Sequence, residues 1–342
     1  MSSAAKLLLV LDGTAQKSPP VWLMRQAGRY LPEYRKLRAE AGSFWAMALT
    51  PKYAAEITLQ PIRRFGFDAA ILFSDILTVP EALGQKVTFT EGEGPSLSPV
   101  TSVKGFIEDR TQWAAYFEPV YEALRLTRAG LPAGTALLGF AGAPWTLATY
   151  LAAGAGGDEQ KAAKLWAYRD PQGFGYLLDI LGDCVAFHLI QQLDAGADAV
   201  QIFDSWASGL PATLFEQVVI EPAKKIVAAV RAARPGAKII GFPRAATQSG
   251  YESYVLATGV DALSLDTALP MRWAAGNLEC VLQGNLDPIA LIAGGAGLDR
   301  AIDEILEAAH GKPHIFNLGH GILPETPIPH VEQLLKRIRA HS

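Results

Sequence analysis

"AVQIFDSWASGLPATLFEQVVIEPAKKIVAAVRAARPGAKIIGFP", Ala199 to Pro243, reads as strand, helix, strand. Ala199–Phe203 is a short apolar run ending at Asp204, and Ile239–Phe242 is a second one ending at a proline. Between them Val218, Val219, Ile226, Val227 and Val230 recur at roughly helical intervals, and Gly236 follows the charged end of that segment. This is βα punctuation, and it predicts a helix packed on the outside of a parallel sheet.

The same punctuation recurs along nearly the whole chain. Val21–Met24, Ala69–Phe73, Ala136–Phe140, Ala262–Leu265, Cys280–Gln283 and His314–Leu318 are further apolar runs, each ending near Gly, Asp, Ser or Arg. With the first two runs they make eight, the number that closes a (β/α)8 TIM-type barrel. The expected fold is therefore α/β, with an insertion between strands 2 and 3. About sixty residues separate those strands, and within them "KVTFTEGEGPSL" alternates like a hairpin with a Gly-rich turn. No long Pro/Gly/Ser linker interrupts the pattern, so residues 1–342 are expected to form a single domain. A doubly wound sheet lacks support, because no Gly-x-Gly-x-x-Gly fingerprint follows the first strand.

Composition bounds the function. Half the residues are hydrophobic, enough for a sizeable core, and 30 basic against 34 acidic residues provide no global field for nucleic acid or an anionic membrane. Cys184 and Cys280 stand in apolar surroundings without a CxxC pattern, which suggests buried thiols in a reducing compartment. The early run in "AAKLLLVLDG" is too short for a membrane helix, and no A-x-A site follows it. A cytoplasmic protein without membrane or nucleic-acid partners is expected.

Polar residues just past the strand ends should converge on one mouth of such a barrel. Arg25 and Arg29 follow the first strand, Ser74 and Asp75 the second, Gly142 and Tyr150 the third, and Asp204 and Ser205 the fourth. Arg244, Asp266, Asn285 and His320 follow later ones. Two arginines four apart around Gln26-Ala27-Gly28 suit a carboxylate or phosphate, since guanidinium offers a planar fork of donors. A solvated basic helix is the plainer explanation for Arg35, Lys36 and Arg38. Asp75 ends the apolar run of "FDAAILFSDIL" and needs donors, either the arginines across the mouth or groups of a ligand. In "GFAGAPWTLATY", Gly139 and Gly142 permit close backbone approach, Tyr150 offers a hydroxyl, and Trp145 is assigned to the core. His320, between glycines in "FNLGHGI", can be donor, acid or cap. His188, within a helix expected from Gly175 to Ala195, is read as packed or solvent-facing. His314 and His320 are the nearest candidate metal pair, with no cysteine beside them, so no metal site is expected.

Taken together, "WLMRQAGRYLPEYR", "FSDIL", "GFAGAPWTLATY", "QIFDSWAS", "LQGNLDP" and "FNLGHGI" closely resemble the uroporphyrinogen decarboxylase family, in order and across nearly the whole chain. The resemblance implies a barrel enzyme without cofactor or metal, a homodimer, that removes carbon dioxide from the four acetate side chains of uroporphyrinogen III. The product would be coproporphyrinogen III, on the way to haem or chlorophyll. By the same resemblance Asp75, Arg25 and Tyr150 are catalytic. Arg25, Gln26, Ala27, Gly28, Arg29, Asp75, Tyr150, Ser205 and His320 bind substrate, with Asp75 accepting hydrogen bonds from the pyrrole N–H groups. Arg25 ranks first as electrostatic partner and second as acid, because a guanidinium pKa above about 12 makes a poor proton donor. The pattern departs from many relatives at "TYLAAGAGGDEQ", where they carry a glutamate and a glycine run. Two other readings compete: a zinc-dependent methyltransferase of the same superfamily, which needs a His-x-Cys and a distant Cys near strand ends, and a non-catalytic tetrapyrrole-binding barrel, which has no need of Asp75.

Overall fold

In Ala136-Leu137-Leu138 the first and third side chains join one apolar cluster and the middle one another, as a pleated strand requires. Ile239 and Ile240, and Val200 and Ala199, divide in the same way. Each strand therefore separates an inner core from an outer one covered by helices. The structure is a computed structural model that describes residues 5–90, 94–156 and 159–341. Its strands are β1 (Ala69–Ile71), β2 (Val87–Thr90), β3 (Gly94–Leu97), β4 (Ala136–Gly142), β5 (Ala199–Asp204), β6 (Lys238–Pro243), β7 (Ala262–Ser264), β8 (Val281–Leu286) and β9 (His314–Leu318).

β1 and β4 to β9 form one curled parallel sheet in the order β1-β4-β5-β6-β7-β8-β9. β2 and β3 pair antiparallel, Val87 opposite Leu97, as the hairpin pattern predicts; its turn, 91–93, lies outside the described residues. The strand expected at Val21–Met24 is a single bridge, Val21 to Phe316 of β9. Side-chain amides intercept the rest of its ladder: Gln26 Oε1 takes the Leu23 N–H at 3.0 Å, and Asn317 Oδ1 takes the Met24 N–H at 2.9 Å. On its other side Val21 bonds to Asp68, the residue before β1.

That bond is one of three of the same kind. Asp68, Asp198 and Asp261 each precede a strand in a Gly-x-Asp-Ala segment, and each donates its N–H to a carbonyl and accepts an N–H on its carboxylate from one and the same residue. The partners are Val21, Leu137 and Ile239, with carboxylate distances of 2.8, 2.7 and 2.8 Å. The first glycine of each segment has positive φ, at 63°, 109° and 62° for Gly66, Gly196 and Gly259. An arginine of a neighbouring helix braces each: Arg339 on the Gly66 carbonyl, Arg128 on Asp198 and Arg231 on Asp261. Asp198→Ala removes the acceptor for Leu137 and the ion pair of Arg128, which keeps only the Gly196 carbonyl. A loss of about 1–3 kcal/mol is expected, read as a lower denaturant midpoint, with Asp198→Asn recovering part of it.

The inner core is closed at this end by helix Lys6–Leu11, whose Leu7, Val10 and Leu11 join the inner cluster. The apolar run in "AAKLLLVLDG" is therefore a plug under the sheet. Polar groups also enter the interior as a hydrogen-bonded chain: Trp22 Nε1 donates to Gln283 Oε1 at 3.0 Å, and Gln283 Nε2 donates to Gln201 Oε1 at 3.0 Å and Ser264 Oγ at 3.1 Å, while the buried Gln201 Nε2 is left without a partner.

The helix expected from Gly175 begins earlier, at Pro171, because Asp170 accepts the Gly173 N–H and proline suits the first helical position. Its most apolar window is long enough to cross a membrane but is 56% buried inside the protein. Within it His188 packs against Phe117, ring centroids 3.9 Å apart, and its Nδ1 meets the Tyr121 hydroxyl at 3.1 Å. Burial holds its pKa down near about 3, so it is a neutral core residue.

Candidate active site

At the opposite end of the sheet from the plug, the turn after Val21 is built to present Arg25. Arg25 is one of the few non-glycine residues with positive φ, 61°, a conformation that costs energy unless its surroundings hold it. Gln26 holds it. Its buried amide takes the Leu23 N–H and donates to the Ala69 carbonyl at 3.0 Å, while its backbone carbonyl accepts the Tyr30 hydroxyl at 2.7 Å. Gln26, expected among the substrate contacts, thus lies under the turn with its side chain spent on the scaffold. Gly28 packs close, since a Cβ there would sit 3.1 Å from the Arg25 carbonyl oxygen. The Arg25 side chain crosses Gly321, where a Cβ would collide with Cδ and approach Cγ to 2.8 Å. Arg29 is exposed further along the rim, near enough for its charge to act on Tyr34.

Asp75 follows β1. The Thr58 hydroxyl accepts the Phe73 N–H at 2.9 Å, and the chain then turns so that Asp75 Oδ1 accepts the Leu77 N–H at 2.8 Å. This turn also starts helix Thr78–Ala82, with the Thr78 hydroxyl on the Asp75 carbonyl. Asp75 keeps some solvent contact although protein surrounds most of it. Desolvation raises its pKa to about 6, against the opposing pull of the Leu77 N–H and the Arg25 charge. Neither alternative for its donors is realised in full: one oxygen has a backbone donor, and Arg25 acts at a distance rather than in an ion pair.

Tyr150 stands on helix Pro144–Ala153, which one residue separates from the end of β4. Burial raises its pKa, with Asp75 adding and Arg25 opposing, so the hydroxyl stays protonated at neutral pH. Its ring lies edge-on to Trp206, centroids 6.3 Å apart, and Trp145 fixes that loop by donating to the Trp206 carbonyl at 2.8 Å. Gly142 and Gly139 are explained by packing: a Cβ on the first would meet Ile76 and Leu147 at 2.9 Å, and one on the second would meet Gln192 Oε1 at 2.5 Å. That glutamine amide bonds both polar groups of Phe140 at 2.8 Å.

Ser205 and His320 also reach this end, each half-buried. Burial, then the charges of Arg244 and Arg25, push the His320 pKa down to about 4, so its imidazole is neutral. Asp204, Asp266 and Asn285 turn away from the opening. Asp204 accepts the Thr146 hydroxyl at 2.5 Å and is pushed up to about 7 by burial; Asp266 and Asn285 support neighbouring loops. Thr146 and Trp206 carried no signal in sequence beyond their place inside two motifs. Among the described residues none of Arg25, Arg29 and Arg244 is in an ion pair; the paired arginines are others.

His314 begins β9, buried and bonded to the Gly284 carbonyl at 2.8 Å, whereas His320 lies past its other end. The whole of β9, about 13 Å of strand, lies between them, so they do not share a metal. Cys184 is inside the helix Pro171–Asp194 and Cys280 precedes β8, at the plugged end. Burial raises both thiols, Cys280 to about 12, which removes thiolate character.

Residues 2–341 match the family model described as uroporphyrinogen decarboxylase. The chain belongs to the uroporphyrinogen decarboxylase family. Among its curated relatives, the uroporphyrinogen decarboxylase of Rhizorhabdus wittichii is 54% identical over 97% of both chains, and that of Brucella anthropi 53% identical over 98% of both. A solved methyltransferase from Methanosarcina mazei shares the fold, with a TM-score of 0.80 at 21% identity over 98% of this chain and 97% of its own. Its likeness concerns the fold alone. Cys184, inside a helix, and Cys280, at the plugged end of the sheet, do not come together as the zinc-thiol set expected of a methyltransferase.

Proposed function

We propose that the chain removes carbon dioxide from the four acetate side chains of uroporphyrinogen III, giving coproporphyrinogen III. The observation that carries this reading is Asp75, a largely surrounded carboxylate with one oxygen held by Leu77 and within reach of the charge of Arg25, a strained residue in no ion pair among the described residues. A proton added to a pyrrole carbon makes the ring cationic. The electrons of the breaking acetate C–C bond then flow into the ring, releasing carbon dioxide and leaving an exocyclic methylene. That carbon takes a proton to become methyl, and the ring carbon gives up the proton it first received, which restores the neutral pyrrole. Asp75 accepts the pyrrole N–H groups and stabilises that cation before and during bond cleavage. Arg25 neutralises carboxylate charge beside it and Arg29 does so at the rim. Tyr150, Ser205 and His320 orient the macrocycle, while Gln26, Ala27 and Gly28 set the turn that aims Arg25.

Val21, bonded to both β9 and Asp68, supports reading its segment as the first strand of a closed (β/α)8 barrel in one domain, with the β2–β3 hairpin as an insertion. Homodimerisation, a cytoplasmic location and the absence of nucleic-acid or membrane partners are proposed on family grounds and on the near balance of charge.

Anaerobic incubation of the purified protein with uroporphyrinogen III, followed by chromatography of the porphyrins, tests the activity. Stepwise seven-, six-, five- and four-carboxylate products are expected; binding without carbon dioxide release would favour the non-catalytic tetrapyrrole binder. Since Asp75 works as the anion, kcat/KM is expected to fall about tenfold per pH unit below about pH 6 and to be flat just above it. Asp204→Asn, which keeps an acceptor for Thr146, leaves that acid limb in place. A rate unchanged down to pH 5 would remove Asp75 from the chemistry.

A further inference from the structure

Arg244 has no part in the mechanism above, yet the fold goes to some length to hold it. It follows β6, and the Val21 segment lies four strands away from β6 in either direction around the sheet. Arg25 and Arg244 therefore face one another across the mouth. Both are without a carboxylate partner among the described residues.

Arg244 is held through its backbone, its side chain and the residue that follows it. Its N–H bonds the Asp204 carbonyl at 3.0 Å, which ties it to the end of β5. Its Nη1 reaches the Ser205 carbonyl at 3.3 Å. The next residue, Ala245, has φ of 57°, a strained value for a residue with a Cβ. That strain is held by Asp266, whose Oδ2 accepts the Ala245 N–H at 2.9 Å and the Tyr251 hydroxyl at 2.7 Å, while Oδ1 accepts the Ala268 N–H at 2.7 Å. Asn285 secures the same loop through the Asp266 and Leu269 carbonyls. A buried carboxylate with three donors and a buried amide thus serve a turn whose visible product is the placement of Arg244. Such over-determined strain is typical of ligand clamps. The Arg244 charge also acts on His320, which helps to keep that imidazole neutral and able to donate without competing for an anion.

We propose that Arg244 is a further substrate-binding residue, which holds a carboxylate of the macrocycle on the side of the mouth opposite Arg25, with His320 within reach of both cations. The inference rests on the decarboxylase reading. A substrate with carboxylates all round its edge presents anions to both sides at once, and one cation at each side fixes the ring over Asp75. The bound carboxylate lies away from the reacting carbon, so Arg244 contributes to binding at each of the four successive decarboxylations.

The test is steady-state kinetics of Arg244→Gln, Arg244→Lys and wild type, with uroporphyrinogen and with the five-carboxylate intermediate as separate substrates. Arg244→Gln retains a donor for the Ser205 carbonyl, and melting curves report whether it folds. It is expected to raise KM for both substrates about tenfold to a hundredfold, with kcat within about threefold, and to flatten the dependence of KM on ionic strength. Arg244→Lys keeps the charge and is expected to recover most of the loss. Unchanged KM in folded Arg244→Gln, or a fall in kcat alone, would overturn the proposal while leaving the decarboxylase intact. No product from wild type would instead overturn the reaction.

Discussion

Asp75→Asn lowers kcat by about 10²- to 10³-fold or more, while the dissociation constant for the four-carboxylate product changes only a few-fold. Asparagine keeps an oxygen for the Leu77 N–H and for a pyrrole N–H, so the cleft keeps its shape. It lacks the negative charge that meets the ring cation, and an interaction that grows only as the cation forms is read in kcat rather than in binding. The same substitution is expected to raise thermal stability. The folded pKa of Asp75 lies above its ordinary value, so the folded state binds the proton more tightly than the unfolded chain does. Its ionisation therefore opposes folding progressively as pH rises past the ordinary carboxylate range toward about 6. The stabilisation in Asp75→Asn should be full above that pH and should vanish in strong acid. Calorimetry at pH 7.5 and in acid checks the sign; equal stability at both would mean that the charge is solvated in the free protein.

Arg25→Met is expected to reduce kcat/KM by about 10²-fold, the magnitude that follows when a charge-assisted hydrogen bond to a bound carboxylate is removed. A quieter route to the same defect is Gly321→Ala. Gly321 has no positive φ to strain, but an added methyl occupies the space of Arg25 Cδ and forces the guanidinium aside. A loss of about tenfold or more is expected. The two changes should not add, because alanine at 321 has nothing to displace once Arg25 is gone. A double variant much worse than Arg25→Met would mean that Gly321 acts through the loop of His320 instead.

Much of this was legible in sequence for identifiable reasons. His314–Leu318 is buried on both faces and stands out as an apolar run with the bounds the strand has. Val21–Met24 looks the same in sequence, but two side-chain amides take its N–H groups, and one of them, Asn317, is 293 residues away. No local pattern announces that. Arg25, Asp75, Tyr150, Ser205 and His320 were visible as polar residues at strand ends and do share one mouth. Gln26 belongs to the same motif but points inward, because its amide has two backbone partners at the right distance beneath it. Arg244 was visible as a residue type and not as a site: its placement depends on Ala245, whose unusual backbone is imposed by Asp266, twenty-one residues on. The three Gly-x-Asp-Ala segments were in plain view, but the strand each fastens is the preceding one, which spacing alone does not reveal.

Those three fastenings also say where the chain can be divided. Each joins a strand to the one that follows it, Val21 to Asp68, Leu137 to Asp198 and Ile239 to Asp261, and none joins β1 to β4 or β5 to β6. From Val21 to β7 the polypeptide is in this respect a tandem array of three two-strand cassettes, each carrying its own clasp at the closed end and leaving the open end to hold residues such as Asp75 and Arg244, while β8 and β9 follow without one. A break or graft in the seams between cassettes severs no clasp, whereas one inside a cassette parts its two halves. For a protein engineer the seams are the places to exchange segments between relatives, and the mouth can be altered there without disturbing what keeps the strands in register.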